Sequence, residues 1–161
     1  SLVFDNLVEG VYNEYYLTNS LYNGAQPYSY CYGKNKYCSP PSGFTECSFI
    51  DVQASSNSDV IVIIKKSNRV VSHAYIKAGN SYKFKVGNGN FQTFFYYGKG
   101  WSPGKFIKTT TCGEILGGFV SNESIDKSES EYLYNSSMSY TLFTVENGNF
   151  SPKTSSKKEA F

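Results

Sequence analysis

Ser81-Tyr82-Lys83-Phe84-Lys85-Val86-Gly87-Asn88-Gly89-Asn90-Phe91-Gln92-Thr93-Phe94-Phe95-Tyr96-Tyr97 reads as two strands about a turn. In the first half Tyr82, Phe84 and Val86 alternate with Lys83 and Lys85, as in a strand with one buried and one wet face. In the second half Phe91, Thr93, Phe95 and Tyr97 share one face and Gln92, Phe94 and Tyr96 the other, so both faces are aromatic. Gly87-Asn88-Gly89 between them tolerates positive φ, which predicts a hairpin. Upstream, Val60-Ile61-Val62-Ile63-Ile64 is apolar at every position and predicts a central strand covered on both sides.

Working outward, the same patterns predict strands near 47–53, 59–66, 70–78, 81–86, 91–97, 105–111, 114–121 and 139–146. Residues 122–137 are polar and carry Glu123, Asp126, Glu129 and Glu131, which reads as an exposed, solvated connection without EF-hand spacing. The 161 residues fit one domain, and 17% aromatic content is too apolar for a disordered chain. Scarce Ala, Leu, Glu and Arg speak against a helix bundle. A net charge of +2 gives no basis for nucleic-acid binding. The fold class expected is all-β: a single Ig-like β-sandwich of about seven or eight strands with a disulfide-linked N-terminal loop region. Residues 19–151 form the sandwich in this reading. Residues 1–18 are an arm or a short helix, and 152–161 a flexible Ser/Lys-rich tail.

No apolar run is long enough for a transmembrane helix. Cys31, Cys38, Cys47 and Cys112 form an even set with irregular gaps and no His pair, which favours disulfides over zinc. Ser39-Pro40-Pro41-Ser42-Gly43 has the chemistry to turn Cys47 back onto Cys38 and leave Cys31 for Cys112. Such bonds place the protein outside the cytoplasm, secreted or at the cell surface.

A lone His73 within a strand pattern reads as a structural or surface residue. No nucleophile elbow, phosphate loop or zinc-protease motif occurs, and no cofactor or metal is expected. The run Phe94-Phe95-Tyr96-Tyr97-Gly98-Lys99-Gly100-Trp101 admits two readings. It packs the core with Trp101 as a lid, or it presents Tyr96 and Trp101 as a platform for a sugar ring or a partner's side chain, with Lys99 or Lys105 alongside.

Ser58-Asp59-Val60-Ile61-Val62, His73-Ala74-Tyr75-Ile76-Lys77-Ala78-Gly79, the Phe94–Trp101 run, Gly117-Gly118-Phe119, Gly148-Asn149-Phe150-Ser151 and Glu159-Ala160-Phe161 carry a resemblance. On them the chain resembles a family of uncharacterised small secreted or surface β-domain proteins of the Bacteroides–Flavobacterium group. That resemblance covers most of the chain after about Thr18 and implies no catalytic residues. Cys38 and Cys47 look more typical of it than Cys31 and Cys112. The order of strands and turns is also similar to prealbumin-like modules, which implies a β-sandwich and nothing about function.

The function expected is non-catalytic: a structural or adhesive subunit that associates with itself or another surface protein. Assembly would run through strand edges or a terminal arm in which Val3, Leu7 and Val8 add a strand to a neighbour. The alternative is a monomeric glycan- or protein-binding module using the Trp101 region. A hydrolase with an unidentified carboxylate pair ranks third.

Overall fold

The computed structural model describes residues 15–36, 38, 47–143 and 153–161. Among these the strands are β1 Ser48–Gln53, β2 Asp59–Lys66, β3 Arg69–Ile76, β4 Ser81–Val86 and β5 Gly89–Lys108. They continue with β6 Glu114–Lys127, β7 Glu131–Leu133, β8 Ser137–Thr141 and β9 Lys153–Thr154; the short helices are α1 Ser29–Tyr32 and α2 Lys157–Ala160. The strands form an all-β sandwich. One sheet has the order β4-β1-β8, the other β3-β2-β5-β6-β9, with β7 paired to the start of β5.

The double-sided apolar character of β2 explains the layering. Val60, Val62 and Ile64 point at the smaller sheet and meet Val52, Phe84 and Tyr140. Ile61 and Ile63 point the other way, into a second core with Phe94, Tyr96, Trp101 and Phe119. That second core is closed by the N-terminal segment, through Ala25 and Tyr28, and by the C-terminus, through Ala160 and Phe161. The larger sheet is thus covered on both faces, as its apolar and aromatic strands require.

Gly87-Asn88-Gly89 is not a hairpin. Val86 pairs with Ser48 in the smaller sheet, whereas Phe91 pairs with Lys66 in the larger one, so this turn carries the chain between layers. The strands it joins have different burial needs: β4 keeps Lys83 and Lys85 toward water, while β5 must hide both faces. The tight hairpin lies instead between β2 and β3. There Ser67 and Asn68 take φ of 52° and 62° between paired Lys66 and Arg69, the signature of a type I′ turn.

The two strands expected at 91–97 and 105–111 are one strand, β5, whose pairing with β6 shifts register after Tyr97 and again after Ser102. Residues 122–127 are not a loop. They extend β6, with Ile125 opposite Tyr96 and buried, because backbone pairing and one apolar residue outweigh the polar side chains around it. The flexible tail expected at 152–161 is docked over its described residues, 153–161. Phe161 is buried against Tyr28 and Tyr96, at ring separations of 5.7 and 5.4 Å, and its burial outweighs the entropy of ordering the chain end. Lys157 pairs with Glu123 at 2.9 Å and Lys127 with Glu159 at 2.5 Å. Both expected disulfides, Cys31–Cys112 and Cys38–Cys47, are present.

The outer edge of β3 is sealed by the chain's own N-terminal segment. Gly24 N–H donates to Tyr75 O at 2.7 Å, and Tyr75 N–H to Ala25 O at 2.8 Å. The Asn35 side-chain amide acts as a surrogate peptide, accepting from His73 N–H at 2.9 Å and donating to His73 O at 3.0 Å. Lys36 N–H completes the series on Val71 O at 2.9 Å.

Candidate functional site

Tyr96 and Trp101 are interior residues, 0% and 2% exposed, so the platform reading is corrected. The curl of β5 turns Trp101 into the second core, edge-on to Tyr75 at 5.5 Å and to Phe119 at 5.4 Å. Its neighbour Gly117 has φ +111°, and a Cβ there would lie 2.5 Å from the indole, so this close approach needs glycine. The Tyr96 hydroxyl accepts from Phe119 N–H at 2.8 Å and donates to the Glu123 carboxylate. Lys105 is spoken for as well, donating to Phe119 O and to Glu123 at 2.6 Å each. Burial opposes ionisation of Glu123, but the hydrogen bonds from Lys105, Tyr96 and Lys157 outweigh it and hold its carboxyl below the ordinary range. This cluster fastens β5, β6 and α2 together. Val3, Leu7 and Val8, the expected arm, lie outside the described residues.

Lys99 separates from that group and reaches a cleft of about 360 Å³. The loop after β1 lines it with Ser55, Asn57 and Ser58, and β5 contributes Tyr97 and Lys99. Asn122, Ser124 and Asp126 enter from β6, and Phe143 stands at the rim, 53% exposed. A β-bulge builds this side of the wall. While β5 advances from Tyr97 to Lys99, β6 runs from Ser124 to Ser121, and Asn122 in the bulge takes φ of 54°. Bulges re-aim side chains next to binding sites, and Asn is among the few residues that tolerate this backbone.

Asp126 accepts a hydrogen bond from the Tyr97 hydroxyl; burial nevertheless raises its pKa, and the hydrogen bond only moderates the rise. Burial and the neighbouring Asp126 also raise Tyr97, so the phenol remains a donor at neutral pH. Ser58 anchors the loop by donating to Gly98 O at 3.2 Å. The described lining therefore offers a carboxylate, an ammonium, amides and hydroxyls beside two aromatic rings. Glycoside hydrolysis takes a pair of carboxylates, and among the described lining residues Asp126 is the single one. No group of three or more His, Cys, Asp or Glu placed to hold a metal occurs among the described residues.

Of the residues singled out from sequence, Lys99 reaches the cleft; Tyr96, Trp101 and Lys105 do not. Asn57 and Phe143 escaped the sequence reading; Asn122 and Asp126 fell in 122–137, which reads as a solvated loop because the bulge leaves no local signature. Compared with protein families, with curated proteins and with solved structures, the chain matches none.

Proposed function

We propose that the protein is a non-catalytic binding module that works outside the cytoplasm and holds a glycan in the Tyr97–Asp126 cleft. The observation that carries this reading is the lining itself: polar groups of both donor and acceptor type converge beside the exposed Phe143 ring. Sugars present hydroxyls around their edges and C–H groups on their faces, so they take this mixture of hydrogen-bonding groups and a ring. Two disulfides support an extracytoplasmic, secreted or surface-attached location. Assembly through strand edges has less support. The β3 edge is sealed by residues 23–36, and β6 is capped by Tyr28 on Gly117 O at 2.8 Å and by Ser155 on Ile125 O at 2.8 Å. The β4 edge carries Lys83 and Lys85, which guard against strand addition.

A glycan array followed by calorimetric titration tests the proposal. Phe143→Ala and Asp126→Asn should each weaken the best glycan ligand about tenfold, the equivalent of about 1.4 kcal/mol. Phe143→Ala should leave the melting temperature unchanged, because the ring is exposed. Undiminished binding in both variants sinks the assignment of the site.

A further inference from the structure

A second groove, of about 350 Å³, lies at the far end of β2, between the β2–β3 turn, the β5–β6 tip and α1. Lys65, Arg69 and the Asn68 amide line it with the hydroxyls of Tyr32 and Thr111 and no carboxylate side chain; Thr110 and Phe161 line it too, the Thr110 hydroxyl donating to the Phe161 main-chain oxygen at 3.3 Å. Lys65 is 8% exposed; its ammonium donates to the main-chain oxygen of Glu159 at 2.7 Å and lies 5.0 Å from the Phe94 ring centroid. Among the described residues neither Lys65 nor Arg69 makes an ion pair. The Tyr32 hydroxyl is buried and has no hydrogen-bond partner among them. An adjoining cavity of about 410 Å³ shares Lys65, Asn68 and Thr110 and adds Lys158; its carboxylate, Glu159, is already held by Lys127 at 2.5 Å.

The Lys65 ammonium touches a carbonyl and a ring but no carboxylate; Glu159 offsets its charge at longer range while bonded to Lys127 and Ser155, so an arriving anion can complete the compensation. The planar fork of Arg69 matches two oxygens of a sulfate or phosphate, and hydroxyls complete the shell of such a group. We infer that this groove binds a tetrahedral oxyanion, a sulfate or phosphate group, between Lys65 and Arg69 with Tyr32 and Thr111 as donors. Its volume is that of about twelve liquid waters, so it accommodates the group as an ester on a sugar chain as well as the free ion. The site is separate from the Tyr97–Asp126 cleft, at the opposite end of β2, and does not depend on it.

The test is calorimetric titration of the full chain at low salt with dextran sulfate, unsulfated dextran, inorganic sulfate and inorganic phosphate. Dextran sulfate should bind and Arg69→Gln should weaken it at least about tenfold, a loss in the range of charge-assisted hydrogen bonds. The pair Lys83→Gln/Lys85→Gln, which removes more charge elsewhere, should change it less than about twofold. Phe143→Ala should leave it unaltered, which separates this site from the glycan cleft. Inorganic ions that bind while the polymer does not, with the same Arg69 dependence, support the site and name the free ion as its ligand. Failure of every anion to bind, equal binding of unsulfated dextran, or equal losses in the Arg69 and Lys83/Lys85 variants overturns the inference.

Discussion

His73 is fully buried, its ring 5.7 Å from that of Tyr28, and its Nε2 accepts the Tyr28 N–H at 3.0 Å. That bond leaves the neutral ring's proton on Nδ1, which has no partner among the described residues. Burial pulls the pKa from 6.5 down to about 4. The unfolded chain therefore takes up a proton first as pH falls, and stability present above about pH 6.5 drains away toward pH 4. The loss approaches about 3 kcal/mol, and urea titrations across this range should show the midpoint falling. His73→Gln should lower the midpoint at neutral pH yet flatten its slope between pH 6.5 and 4. A slope that persists in the variant assigns the effect elsewhere. Glu123, held below its ordinary 4.5, loses its contribution only below that pH, so the two groups act in successive windows. The sequence leaves His73 as structural or surface; which of the two depends on residues 28–35 folding over it, a long-range event.

Among elements, what a strand needs to bury is legible from its alternation, whereas its partner is not. β2 and β4 match their expected bounds because their patterns are local properties of the backbone. The turn at Gly87-Asn88-Gly89 misleads because the same residues that suit a hairpin also suit a sharp passage between layers. Asn88 fixes that passage: its side-chain oxygen accepts from Ser48 Oγ at 2.7 Å and Asn135 N–H at 2.8 Å, and its amide donates to Asn135 Oδ1 at 2.9 Å. Asn88→Ala should destabilise by about 1–3 kcal/mol, since it strands several polar groups together. By contrast, the true hairpin at Ser67-Asn68 has room for improvement. Ser67→Asn with Asn68→Gly supplies the residues that its positive φ values favour and should stabilise by about 0.5–1 kcal/mol. Both shifts are readable as denaturation midpoints, and a loss of stability from the second change contradicts the type I′ assignment. The cleft escapes the same local reading, because a β-bulge is a relation between two strands.

At the scale of the whole molecule, the all-β sandwich follows from composition and alternation, but the extra layer over the larger sheet does not. That layer joins the two ends of the described chain, residues 19–36 and 153–161, neither of which has strand periodicity. Its members touch one another: Phe161 packs on Tyr28, and Cys31, three residues on, is bonded to Cys112 across a separation of 81 residues. Cys31→Ser/Cys112→Ser should cost about 4 kcal/mol by releasing a long loop in the unfolded chain. Phe161→Ala should cost about 3–5 kcal/mol by opening a cavity in the second core. If the layer is one cooperative unit, losing either anchor loosens the other, and the combined variant falls short of the summed losses by more than about 0.5 kcal/mol. Guanidinium unfolding of the four proteins of that cycle measures the coupling. Strict additivity means that the disulfide acts on the unfolded chain alone and that the N- and C-terminal segments cover the sheet independently.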